Sequence, residues 1–96
     1  MIKVNHFSDL SLQDQYILID HIFFNYKMIP SINYQQTAYG LKASFNRFTG
    51  VNIGHQITSQ CFMEAMVKAG YKAVPAKKDV IPNWYFNVGR LQFITH

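Results

Sequence analysis

The chain has 96 residues, about half of them apolar, with one cysteine and a formal net charge of +4. A chain of this length buries only about 60 to 65% of the surface that its unfolded form exposes, so we expect one domain over residues 1–96. The composition excludes a disordered chain, and a lone Cys61 in apolar surroundings predicts a small buried side chain rather than a disulfide. No stretch approaches the ~20 apolar residues of a membrane span, and the N-terminal residues lack the apolar core of a signal peptide. We therefore expect a cytoplasmic protein that does not enter a membrane.

The positive charge lies in the C-terminal part of the chain. Residues 1–40 contain two lysines and three aspartates, a net charge of −1. The remaining residues have seven basic side chains against Glu64 and Asp79, a net charge of +5. This distribution is typical of a protein with one face on phosphates, although an ordinary solvated surface can carry the same charges.

Residues 11–28 are predicted to form the first helix. Asp9 and Ser11 are favourable N-cap residues, and Pro30 disfavours helical backbone at the residue before it. The three- and four-residue spacing of one set of apolar residues predicts the buried face: Leu12, Tyr16, Ile19, Phe23 and Tyr26. A second set widens the apolar surface and is the predicted contact with a protein partner or a second copy: Ile17, Leu18, Ile22 and Phe24.

Two shorter helices are predicted after a polar connector at residues 31–36. The second helix covers residues 37–48, with Thr37 as its N-cap and Gly50 as its left-handed C-terminal residue. The third helix covers residues 58–69, from a cap at Thr58 or Ser59 to Gly70. Between them, residues 51–54 predict at most a short strand.

Two strands are predicted after the third helix. Residues 71–74 form an apolar strand and residues 84–88 an alternating one, and residues 75–83 link them. Helix, turn, helix and hairpin in this order predict an α+β fold of the winged helix-turn-helix type, three helices followed by a β-hairpin wing. The last seven residues are apolar enough to form a further short strand.

Residues that usually bind metals or catalyse reactions show no recognisable arrangement. The four histidines have neither the H-x-x-x-H nor the Cys/His spacing of a metal site. Among the few carboxylates, Asp9 and Asp79 have the character of a cap and a turn residue. The sequence also lacks a glycine-rich phosphate loop. We predict a non-enzymatic protein without metal or other cofactors.

Basic residues predict contacts with the phosphates of a nucleic acid, DNA in particular. The proposed wing carries Lys77 and Lys78 near its tip, and Lys72 and Arg90 lie at its ends. Lys42 and Arg47, on the polar side of the second helix, either contact the flanking backbone or keep that helix solvated.

A few polar residues are placed to meet bases. Ser59 and Gln60 begin the third helix, the part that meets base edges in a major groove. Tyr85 and Asn87 present a ring and an amide to unstacked bases, although Tyr85 is equally typical of a sheet surface. The scarcity of arginine and asparagine on the third helix predicts low sequence specificity.

One set of motifs spans residues 37–88: Thr37-Ala38-Tyr39-Gly40-Leu41-Lys42, Phe45, Thr49-Gly50, Phe62-Met63-Glu64-Ala65-Met66, Ala69-Gly70-Tyr71 and Asn83-Trp84-Tyr85-Phe86. This set resembles a group of small uncharacterised proteins from phages and mobile elements of Gram-positive bacteria. The resemblance covers a little over half of the chain and consists mostly of structural glycines and core aromatic residues. It implies a replication accessory that binds single-stranded DNA or assists a polymerase.

Two functions follow from these observations. The first is a nucleic-acid-binding module of low sequence specificity. The alternative is a protein-interaction module that acts through the first helix, as a small subunit of a replication complex or a phage-type inhibitor of a host defence enzyme.

Overall fold

The computed structural model describes residues 3–49, 56–77 and 82–89, with side chains for all of these except residues 44–49. After a short 3-10 turn at Phe7–Asp9, the elements in chain order are α1 at Leu12–Asn25, β1 at Met28–Thr37, α2 at Ala38–Thr49, α3 at Ser59–Lys68, β2 at Ala73–Pro75 and β3 at Trp84–Val88. The three strands form one antiparallel sheet in the order β1-β3-β2. The predicted α+β class and the pairing of the last two strands are thereby confirmed.

Helix α1 begins where predicted and ends three residues earlier. The Ser11 hydroxyl accepts a hydrogen bond from the Asp14 N–H at 3.1 Å, which confirms Ser11 as the N-cap. At the other end, Tyr26 adopts extended backbone and closes the helix. Its buried hydroxyl donates to the Leu41 carbonyl at 3.2 Å. The helix therefore stops where the Tyr26 ring enters the core, before Pro30 has any effect.

The predicted orientation of α1 was wrong. Leu12, Tyr16 and Phe23 are 69%, 68% and 62% exposed, whereas Leu18 and Ile22 have no exposed surface. Because α1 is apolar on nearly every side, residue spacing could not decide which side faces the core. The structure buries the side with Leu18 and Ile22, which belong to the same core as α3 and the sheet.

Strand β1 replaces the polar connector predicted at residues 31–36. It pairs with β3, with register shifts between the pairs Met28–Val88, Asn33–Phe86 and Thr37–Tyr85. The Asn33 amide donates to the Val88 carbonyl at 3.0 Å. β1 is an edge strand, where polar residues reach solvent and Pro30 is tolerated. The polar composition suggested a loop. However, β3 is the central strand, and its backbone N–H and C=O groups need hydrogen-bond partners on both sides.

The ends of α2 and α3 agree with the prediction where they are described. The Thr37 hydroxyl accepts from the Gly40 N–H at 3.2 Å, and the Thr58 hydroxyl accepts from the Cys61 N–H at the same distance. After α3, the Gly70 N–H donates to the Val67 carbonyl and the Tyr71 N–H to the Met66 carbonyl, the two bonds of a Schellman motif. Gly70 has φ of +103°, as this motif requires. Gly50, residues 51–54 and the last seven residues lie outside the described part.

The core lies between α1, α3 and the sheet. It includes Phe7 and Leu10 from the N-terminal segment, which is held to the residues just before α3 by a bridge between Val4 and Ile57. Cys61 is fully buried, as predicted, and burial, followed by the charges of Glu64 and Asp9, raises the pKa of its thiol to about 12. The helices α1 to α3 and the strands β2 and β3 contribute to one hydrophobic core.

Candidate nucleic-acid interface

Two asparagine side chains tie β3 to the neighbouring parts of the chain. The Asn87 carboxamide oxygen accepts a hydrogen bond from the Lys72 N–H at 2.6 Å, which ties β3 to the residue before β2. The Asn83 carboxamide oxygen accepts from the Tyr39 N–H at 3.1 Å and so links the start of β3 to α2. Asn87 is buried, so the prediction that it presents an amide to bases was wrong. Its side chain instead holds the backbone of Lys72 in place.

Three exposed lysines lie between the last turn of α3 and the residues just after β2. Lys68 is in the last turn of α3, Lys72 precedes β2, and Lys77 follows it. The segment from Val67 to Lys77 contains no carboxylate. We call Lys68, Lys72 and Lys77 the lysine strip. The structure thus keeps Lys72 and Lys77 exposed as expected and adds Lys68, which the sequence analysis did not select, although its position in the same acid-free segment was a usable signal.

The front of α3 is covered by the N-terminal segment. Ser59 is buried, and Gln60 is half-buried, with its amide donating to the Glu64 carboxylate at 3.3 Å. A cleft of about 240 Å³ with an uncharged lining adjoins these residues, formed with Asn5, Thr58 and Pro82. The prediction that Ser59 and Gln60 stand exposed at the front of the helix is corrected, because residues before the first helix pack there.

Glu64 is the anchor for this N-terminal segment. Its carboxylate accepts from the Phe7 N–H at 2.9 Å and contacts His6 Nδ1 at 3.0 Å. Burial favours a higher pKa for Glu64, but the bonds from Phe7, His6 and Gln60 and the charge of His6 outweigh it and lower the pKa. An ionised carboxylate on this side of α3 repels phosphate. α3 is therefore poorly suited to reading bases in a major groove.

Lys42 does not occupy the solvated side of α2 that the sequence suggested. Its side chain is only 8% exposed, and its ammonium lies 5.3 Å from the centre of the Tyr39 ring, within the range of a cation–π interaction. Burial, and then the charge of Lys3, lower the pKa of Lys42. The prediction that Lys42 lies on the solvated side of α2 and contacts phosphate is corrected, because nearly all of the residue is buried.

Tyr85 is half-buried on β3 and packs against an exposed tyrosine of β1. Its ring centre lies 5.1 Å from that of Tyr34, with the rings edge to face. Tyr34 is 66% exposed. A base can therefore reach the sheet surface at Tyr34 more readily than at Tyr85. Tyr34 was missed because the sequence analysis treated its segment as a loop.

The other predicted contacts have mixed outcomes. Lys78 and Arg90 lie outside the described residues, as does the side chain of Arg47. Of the predicted partner-binding residues, Phe24 is 87% exposed and Ile17 is half-buried. Leu18 and Ile22 are in the core, so their assignment to a partner surface was wrong.

Two further properties apply to the described ranges only. No three histidine, cysteine, aspartate or glutamate side chains there come close enough together to hold a metal ion. None of the helices there has the length and apolar character needed to cross a bilayer.

Over the ranges that the structure describes, the fold is a small α+β domain in which the helices α1 to α3 pack with a three-stranded antiparallel sheet, and a lysine-rich segment leads into the antiparallel pair β2 and β3. No family model, curated protein or solved structure matches the chain.

Proposed function

We propose that this protein is a non-enzymatic winged-helix module that binds nucleic acid with low sequence specificity. The observation that carries this proposal is the lysine strip, three exposed ammonium groups in a segment without a carboxylate. Polyanion binding depends chiefly on such groups, because each neutralised phosphate releases condensed counterions.

The fold supports the proposal by analogy. Helices α2 and α3 are followed by the antiparallel pair β2 and β3, and β1 completes the sheet on the far side of β3. Winged helices have this order of elements, and many of them bind nucleic acid. Because one fold hosts many functions, the assignment depends on the lysine strip rather than on the fold.

Low specificity follows from the outer side of α3. Its half-buried residues over the first two turns are Gln60, Met63 and Glu64. None is an arginine, a lysine or an asparagine, which together with glutamine are the side chains most suited to bidentate base contacts. The one glutamine, Gln60, is engaged with Glu64. Backbone contacts by lysines, with stacking at Tyr34 and Tyr85 worth about 1–3 kcal/mol per base, favour single-stranded DNA. A role as a replication accessory of a mobile element is part of this proposal and rests on the sequence resemblance alone.

Fluorescence anisotropy with labelled single- and double-stranded oligonucleotides over a salt series tests the proposal. Lys72→Gln and Lys77→Gln should each reduce the slope of log affinity against log salt by about 0.7 on single strands and about 0.9 on duplex. Lys3→Gln is the matched control, since it removes one exposed positive charge outside the strip, and should leave the slope unchanged. Absence of binding at low salt, or equal slopes for all three variants, contradicts the proposal.

The alternative, a protein-interaction module that acts through the first helix, stays a prediction. The surface it requires differs from the one the sequence suggested, because Leu18 and Ile22 are buried and Leu12, Tyr16 and Phe23 are exposed.

A further inference from the structure

The outer side of α1 carries an apolar seam. Leu12, Tyr16 and Phe23 are each more than half exposed, and Ile19, at the edge of this row, is half-buried and also packs against the core. At 100° per residue, these four positions fall within an arc of about 60° on the helix. We call Leu12, Tyr16, Ile19 and Phe23 the α1 seam. Exposed aromatic and aliphatic side chains in one row are uncommon on a monomer surface and mark a contact with another molecule.

The spacing of the seam is the same in both chain directions. The intervals between positions 12, 16, 19 and 23 are four, three and four residues. Alternating intervals of three and four residues are those of the a and d positions of a coiled coil. When a second α1 runs antiparallel, Leu12 lies beside Phe23 of the second copy, and Tyr16 lies beside its Ile19. The seam is therefore complementary to itself.

Opposite charges flank the two ends of α1. Asp9 lies in the 3-10 turn before the helix and Lys27 lies two residues after it, both exposed. Antiparallel pairing places the Asp9 end of each copy next to the Lys27 end of the other, whereas parallel pairing places like ends together. Antiparallel helices also align their dipoles favourably.

We propose that α1 pairs with α1 of a second copy of this chain, so that the protein is a two-fold symmetric homodimer. A two-fold contact requires a surface that complements itself, and the seam and its flanking charges meet that requirement. This inference is independent of nucleic-acid binding.

Sedimentation equilibrium and light scattering over a concentration series test the dimer. Leu12→Ser and Phe23→Ser should each raise the dissociation constant of the dimer at least tenfold. Both side chains are exposed, so neither substitution should change the midpoint temperature of thermal unfolding by much at a concentration where every variant is monomeric. Phe24→Ser is the matched control: it removes an even more exposed aromatic ring from the same helix, about 100° away from Phe23, and should leave the dissociation constant unchanged.

An exchange of charges tests the register. Asp9→Lys and Lys27→Asp should each weaken the dimer by several-fold, because each creates two like-charge contacts, and the double variant should restore it. A wild-type protein that stays monomeric over the whole concentration range overturns the proposal. So does a dimer that Phe24→Ser weakens as much as Phe23→Ser, or one that the double charge exchange fails to restore.

Discussion

The clearest single-residue consequence concerns His21, the buried histidine of α1. Its Nε2 lies 3.3 Å from the Tyr26 hydroxyl, which itself donates to the Leu41 carbonyl, so Nε2 carries the proton and donates. The Asn25 side-chain amide, which also donates to the His21 carbonyl, lies 3.1 Å from Nδ1. Nδ1 is then the acceptor, and a second proton there would face another donor. Both ring nitrogens of the neutral form are thus satisfied.

This network makes stability depend on pH. Burial lowers the pKa of His21 from 6.5 to about 4, so the unfolded chain takes up this proton at a higher pH than the native protein does. The neutral His21 therefore contributes to the free energy of unfolding above about pH 6.5. This contribution is lost as the pH falls toward 4, at about 1.4 kcal/mol per pH unit. Urea unfolding should therefore give a free energy of unfolding about 1.6 kcal/mol lower at pH 5 than at pH 6.5. His21→Gln should flatten this dependence, and parallel curves for variant and wild type would show that His21 is not responsible.

At the scale of elements, two glycines have opposite roles. Gly70 ends α3 with φ of +103°, a conformation that a side chain destabilises. Gly40 lies in the first turn of α2, and a Cβ added there would meet only the Thr37 hydroxyl oxygen, at 3.6 Å, an ordinary contact. Close approach of another backbone therefore does not explain Gly40.

The two alanine substitutions should change stability in opposite directions. Gly70→Ala should lower the free energy of unfolding by about 1–2 kcal/mol, because it forces left-handed backbone on an L-residue. Gly40→Ala should raise it by about 0.5–1 kcal/mol through helix propensity. Chemical denaturation of the pair measures both, and a loss of stability in Gly40→Ala as large as that in Gly70→Ala would contradict this interpretation.

The elements that sequence predicted well are those with local signals. Thr37, Thr58 and Gly70 act within one turn of their own helix, so spacing and residue type were sufficient. Strand β1 has no such signal, since its structure depends on β3, about fifty residues later in the chain. The orientation of α1 likewise depends on packing against α3 and the sheet. Where apolar residues surround a helix, tertiary contacts decide which of them remain exposed.

At the scale of the whole molecule, charge separates two surfaces. The lysine strip has three exposed lysines in the segment Val67–Lys77, which contains no carboxylate, whereas α1 carries Asp14 and Asp20 and no lysine or arginine. The uneven charge was visible in the sequence. The sequence did not show which of the basic residues are exposed, because Lys42 is a polar residue on an amphipathic helix and is nevertheless buried. Nor could spacing show that residues before α1 cover the front of α3 through Glu64.

The proposed function requires a polyanion to contact the segment Val67–Lys77. An NMR titration of the labelled protein with a single-stranded oligonucleotide at low salt tests it most directly, because each backbone amide reports its own surroundings. We expect the largest shifts at Val67–Lys77 and only small ones on α1 and at Lys3. Shifts confined to α1, or none at low salt, would contradict the proposed function.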